Sequence, residues 1–156
     1  MRAARVRLVC RLVTDTLALG ERLGAEVRPG DLLSLEGPLG AGKTTLVRGV
    51  AIGTGVDPGQ VRSPTFVLHH VYRGGRLTLH HLDLYRLGDG ASLALLDIDG
   101  LLETGAVVVE WGDRADLSRW TPSRVEVEIG PREERVFILD GSASARLRGA
   151  WEPHPA

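Results

Sequence analysis

The stretch Leu32–Thr44, LLSLEGPLGAGKT, decides how the rest of the chain is read. Its first five residues, Leu32–Glu36, are an apolar run of strand length. Gly37-Pro38-Leu39-Gly40-Ala41-Gly42-Lys43-Thr44 then fits GxxxxGK[ST] at every fixed position. Glycines let successive backbone N–H groups turn inward around a phosphate, and a helix starting at the end of the loop adds its positive N-terminus. In such a loop a lysine reaches the β- and γ-phosphates and a threonine hydroxyl ligates Mg2+, the roles open to Lys43 and Thr44. The plain alternative is a glycine turn that only joins a strand to a helix. The helix expected after the loop, from Lys43 or Thr44 through TTLVRGVAIG to the breakers Gly53, Gly55 and Pro58, supplies the context a phosphate loop requires.

Composition agrees. Of the 19 basic residues only Lys43 is lysine, and it stands where a compact ammonium suits phosphate better than a planar guanidinium. With 156 residues the chain has the length of one domain, expected over 1–140, and the small, polar tail over 141–156 is expected to be flexible and partly disordered. The formal net charge of −1 argues against stable DNA binding or membrane attachment through a basic field. Cys10 is the only cysteine, so no intrachain disulfide forms, and it reads as a small buried strand residue in a protein of the reducing cytoplasm. Arg5, Arg7 and Arg11 interrupt the N-terminal apolar stretch, so it does not read as a signal peptide, and no later run reaches membrane-spanning length.

Around the loop, hydrophobic spacing predicts a helix from Asp15 to Val27, with Thr14 as N-cap and Leu17, Leu19, Leu23 and Val27 inward. Strands are expected at Phe66–Tyr72 and Arg76–Leu82, joined at Gly74-Gly75, and helices at Ala91–Leu96 and Ile98–Glu103. Ala106–Glu110 (AVVVE) has the unbroken apolar character of a strand buried on both faces. Arg124–Ile129 and Arg135–Leu139 form a closing hairpin. The fold class is therefore α/β: a three-layer P-loop NTPase arrangement whose central sheet is mixed, mainly parallel, with β-hairpin additions.

A phosphate loop needs acids beside it. Glu110 ends the strand expected next to the loop strand, the place of a metal-side carboxylate, and Asp83 ends another strand with access to the same edge. Either can instead be a solvated acid closing a strand. Thr65, stiffened by Ser63-Pro64, belongs either to a γ-phosphate sensor or to an ordinary turn. Trp111 offers an indole for stacking on adenine, or simply packs at a strand end; Trp120 and Trp151 read as packing residues. A two-residue turn places His69 opposite His80, but strand alternation splits His69 from His70 and His80 from His81, which disfavours a metal site. The absence of a second lysine removes an NKxD guanine motif, and no LSGGQ segment is present.

Taken in order, TLALGERLGAEV, GPLGAGKTT, SPTF, HLDLYRL and VVVEW resemble the TsaE (formerly YjeE) family over roughly residues 14–115. The resemblance implies an ATPase of tRNA threonylcarbamoyladenosine synthesis that binds ATP and Mg2+ and hydrolyses weakly alone. It implies work with the TsaB–TsaD heterodimer, in which TsaD modifies adenosine 37, with tRNA reached only through that complex. Carried over by motif position, Gly37, Leu39, Gly40, Ala41, Gly42, Lys43, Thr44 and Thr45 surround the phosphates. Thr44, Glu110 and Asp83 serve the metal, and Lys43, Asp83, Glu110 and Thr65 serve catalysis. Trp111 neighbours adenine, while Tyr85 and Arg86 support the loop or touch a partner. This chain departs from the family at Asp97, where a glycine is usual, and in the small, polar Gly88–Ser92, which bears on partner contacts. A nucleotide-dependent binding switch and a small-molecule kinase are the alternative functions.

Overall fold

A computed structural model describes residues 5–61, 69–85, 96–140, 143 and 145–151. The expected loop strand, β2 (Leu32–Glu36), lies inside a seven-stranded sheet. The other strands are β1 (Val6–Cys10), β3 (His69–Tyr72), β4 (Leu79–Asp83), β5 (Ala106–Glu110), β6 (Ser123–Ile129) and β7 (Arg135–Leu139), in the spatial order β1-β7-β6-β2-β5-β4-β3. The middle strands β6, β2, β5 and β4 run parallel, while β7, β1 and β3 are added antiparallel at the two sides. This is the mixed α/β sheet with hairpin additions that the sequence predicts.

Period-two alternation sorts the core into two layers. Leu33, Leu35 and Val108 point to one face, where they pack with Leu19, Leu23, Leu46 and Val50 of α1 (Val13–Glu26) and α2 (Lys43–Thr54). Leu32, Val107 and Val109 point to the other, against Ile98 of α3 (Ile98–Thr104) and Leu117. Both faces of β2 and β5 are thus covered, which is why each reads as a continuous apolar run.

α1 and α2 meet backbone to backbone through Gly20 and Gly24 on one helix and Gly49 and Gly53 on the other. A Cβ at Gly20 would stand 2.8 Å from Gly49 Cα, and one at Gly49 would stand 2.9 Å from Gly20 Cα. No side chain fits between these helices, so the paired glycines set their separation. The glycine positions also explain why Leu17 is only half-buried while Thr16 is buried: the inward stripe of α1 is partly glycine.

Three expectations are corrected. α1 begins at Val13, with Leu12 rather than Thr14 as N-cap. The Asp15 carboxylate reaches back to accept from the backbone N–H of Leu12 at 3.0 Å and of Arg11 at 3.1 Å, the acidic half of a capping box. β3 pairs His69 with Leu82 and Val71 with His80, because the connection over 73–78 is longer than a two-residue turn. His69 and His80 are therefore diagonal rather than opposite. Finally, the polar tail contains a helix, α4 (Ala145–Trp151), whose Leu147 and Trp151 are spaced to share a face. Trp151 is fully buried, donates its indole N–H to the Leu19 carbonyl at 3.0 Å, and meets the Phe137 ring edge-on. The helix expected at Ala91–Leu96 and the start of the Phe66–Tyr72 strand fall largely outside the described residues. Among the described residues no helix is long and apolar enough to cross a membrane.

Candidate functional site

The loop after β2 enters α2 directly: Gly42 is the N-cap and Lys43 the first helical residue. Gly40 (φ 78°) and Gly42 (φ 99°) hold the left-handed backbone that an L side chain resists, which lets the chain coil around the helix N-terminus. Ala41 is fully buried, anchoring the loop, while Leu39 is exposed. The Lys43 ammonium donates to the carbonyls of Gly37 at 2.6 Å and Pro38 at 2.8 Å, and lies 3.9 Å from the centroid of the Trp111 ring. Burial lowers its pKa, opposed in part by the charges of Glu110, Asp113 and Asp83. Water is a poor competitor for such a cation, which favours an anion brought in by a ligand.

Strand parity places the acids. Asp83 pairs in register with Glu110, so both side chains emerge on the sheet face that α2 covers. The Thr44 hydroxyl donates to Glu110 Oε1 at 2.8 Å. The other carboxylate oxygen, Oε2, lies 2.5 Å from Nε2 of His81, whose Nδ1 is 2.8 Å from the Tyr72 hydroxyl. A chain of contacts therefore runs from buried Tyr72, His81 and Glu110 to half-buried Thr44, and it engages both oxygens of Glu110. Burial raises the pKa of Asp83; the Tyr85 N–H, donating at 2.9 Å, opposes this, and the Glu110 charge reinforces it. A cleft of about 330 Å3 opens over these groups, lined by the loop from Leu39 to Thr45 with Asp83, Tyr85, Glu110 and Trp111.

The structure thus brings Lys43, Thr44, Asp83, Glu110 and Trp111 together. Thr65 and Arg86 lie outside the described residues. Trp111 is itself in the left-handed region (φ 60°), with the Tyr85 ring 5.0 Å away and the Arg114 guanidinium 5.1 Å from its centroid. His81 and Tyr72 are functional neighbours that sequence reasoning passed over. The available signal was parity: His81 stands two residues before Asp83 and so shares its face. His69 and His80 lie on the opposite face, 3.0 Å apart, with His80 Nε2 2.9 Å from the Thr104 hydroxyl.

The oxygen donors of Thr44, Glu110 and Asp83 are hard ligands on one cleft wall, a set that fits Mg2+, which takes one or two carboxylates and leaves room for phosphates. A buried cation, a glycine-lined loop at a helix N-terminus and a fixed carboxylate together suit phosphoryl chemistry.

Comparison with known proteins agrees with this geometry. Residues 10–137 match the family described as "Threonylcarbamoyl adenosine biosynthesis protein TsaE". A curated TsaE of Mycobacterium leprae (strain TN) is 46% identical over 142 residues, covering 85% of this chain and 84% of the relative. One from Treponema pallidum (strain Nichols) is 43% identical over 122 residues, 74% of this chain and 87% of its own length. Among solved structures, Bacillus subtilis YdiB superposes with a TM-score of 0.73 at 26% identity, covering 92% of this chain and 89% of that one. The loop and both acids sit within the matched residues 10–137, and the chain belongs to the TsaE family.

Proposed function

We propose that this chain is a Mg2+-dependent ATPase that supports turnover of the TsaB–TsaD heterodimer in threonylcarbamoylation of tRNA adenosine 37. The observation that carries the reading is the 2.8 Å bond from the Thr44 hydroxyl to Glu110, which joins the end of the phosphate loop to the acid of the neighbouring strand. Backbone N–H groups between Leu39 and Thr45 bind the phosphate chain, and Lys43 exchanges its loop carbonyls for phosphate oxygens. Thr44 and Glu110 would hold Mg2+, which would supply Lewis-acid neutralisation of phosphate charge. Asp83, in the same cleft and with a raised pKa, orients the attacking water and takes its proton. Thr65 senses the γ-phosphate. Hydrolysis by the isolated chain is slow, the partners complete the site, and tRNA is met only through them in the cytoplasm.

Phosphate release from Mg·ATP, measured alone and with a TsaB–TsaD heterodimer, tests this reading. Slow release that rises when the heterodimer is added is the expected result. Release indifferent to the heterodimer, or phosphate appearing on an added small-molecule acceptor, would overturn the partnership and favour a kinase.

A further inference from the structure

A diagonal line of polar side chains crosses the sheet from its β3 edge to the phosphate loop. Tyr72, His81 and Glu110 come from β3, β4 and β5 and are 1%, 0% and 3% exposed. Strand register brings them together. Tyr72 pairs with Leu79, two residues before His81, and Glu110 pairs with Asp83, two residues after it, so all three share one face on neighbouring strands. Of the three, only Glu110 lines the acid cleft. We propose that Tyr72 and His81 are positioning residues for the metal site: Tyr72 fixes the tautomer of His81, and His81 holds Glu110 with Oε1 turned toward Thr44.

The proposal rests on the assignment of Glu110 to Mg2+ and adds what keeps that carboxylate in place. An ionised carboxylate only accepts hydrogen bonds, so the 2.5 Å contact at Oε2 requires a proton on His81 Nε2. In a neutral imidazole Nδ1 is then the acceptor, and the Tyr72 hydroxyl 2.8 Å away is a donor placed to meet it. In the other tautomer, the lone pairs of Nε2 and Oε2 would face each other at 2.5 Å beside a ring that is wholly buried. The phenol thus selects the ring state that the carboxylate needs. With Oε2 engaged by His81, Oε1 is left to the Thr44 hydroxyl at 2.8 Å.

The two acids of the cleft are held differently. Glu110 is gripped by side chains, whereas Asp83, in register with it, accepts from the Tyr85 backbone N–H at 2.9 Å. A side-chain grip on both oxygens suits a fixed metal ligand, and leaves Asp83 as the acid that exchanges a proton. Partners that orient a metal ligand from outside the coordination sphere are worth about 10- to 100-fold in metal affinity.

Calorimetric titration of the purified chain with AMP-PNP, a nonhydrolysable ATP analogue, in Mg2+ and again in EDTA isolates the metal's share of the affinity. Tyr72→Phe deletes only the hydroxyl. It is expected to lower the Mg2+-dependent gain roughly threefold to tenfold and to leave the EDTA affinity unchanged, which shows that the loop is intact. His81→Phe is expected to lower the gain about tenfold or more. Adding Tyr72→Phe to it should cost nothing further, because Tyr72 acts through His81. A gain that Tyr72→Phe leaves unchanged, or losses that add in the double variant, would overturn the proposal. Nitrogen-15 spectra of the wild-type histidines test it without a variant: His81 is expected with its proton on Nε2, and a proton on Nδ1 would overturn it. A wild-type chain that binds AMP-PNP equally in Mg2+ and in EDTA would bring down the assignment of Glu110 to the metal, and this proposal with it.

Discussion

The two flanks of the phosphate loop are built in opposite ways. Toward β5 and β4, Lys43, His81, Asp83 and Glu110 are all 8% exposed or less, and Lys43, His81 and Glu110 are tied into hydrogen bonds that leave each side chain one orientation. Toward β1 and β7, a second cleft is walled by exposed Leu12 and Val13 and by Arg135, which donates to the backbone carbonyls of Glu133 and Gly40. The difference teaches where precision is required. Stabilising a developing charge demands dipoles fixed in a dry setting before the reaction, and only the flank toward β5 and β4 is built that way. The glycine-lined contact of α1 with α2 joins the flanks, since α1 starts at one and α2 starts at the loop.

The largest effect should come from the buried flank. Glu110→Ala removes the partner of both Thr44 and His81, and partner-stimulated phosphate release is expected to fall roughly 100- to 1000-fold. Leu12→Ser/Val13→Ser, on the exposed flank, should instead leave kcat near the wild-type value. Equal loss of kcat in both variants would erase the contrast between the flanks. Next is the clasp: Gly49→Ala forces a Cβ onto the α1 backbone and should cost about 1–3 kcal/mol in urea unfolding. Gly149→Ala in α4, where an added Cβ meets nothing within 4 Å, should gain roughly 0.5–1 kcal/mol. If Gly49→Ala unfolds like the wild type, the flanks are not held by that contact.

His81 gives a smaller, more specific test. His81→Phe leaves Glu110 Oε2 without its donor and should lower kcat roughly tenfold, while raising the Mg2+ concentration needed for half-maximal release. His81→Gln keeps a donor and should recover part of both. Identical Mg2+ dependence in the two variants would mean that His81 only fills space. The smallest effect is away from the site. Burial pushes His69 and His80 below their ordinary value of 6.5, with neighbouring histidines adding to the shift, so the fold keeps them neutral. Folded pKa values below the unfolded one mean stability that is complete above pH 6.5 and lost as pH falls through the lowered values. His80→Leu should flatten that decline, and an unchanged slope would show that the pair does not contribute.

Much of the acid flank was legible because it obeys short-range rules. Leu32–Glu36 and Ala106–Glu110 are strands with the bounds read from their unbroken apolar runs, and an acid at the end of such a strand faces the loop by period two alone. His81 was not assigned its role because adjacent histidines look alike until the β3–β4 register is known, and that register depends on a connection of uncertain length. The open flank is less legible still. Arg135 reaches Gly40 only because a hairpin 95 residues later in sequence folds over the loop, and left-handed Arg132 and Glu133 carry no glycine signal. α4 was hidden by its small residues: its burial rests on Leu147 and Trp151, spaced one helical turn apart in an otherwise polar tail. Asp15 acts as a cap from inside the helix, so a search for a capping residue ahead of the first turn settles on Thr14 instead.

Phosphate release from Mg·ATP by the wild-type chain and by Lys43→Ala tests the phosphate loop most directly. The arrangement predicts that the variant loses roughly 3–4 kcal/mol of transition-state stabilisation, a drop of about 100- to 1000-fold in rate. An unaltered rate in Lys43→Ala would contradict it.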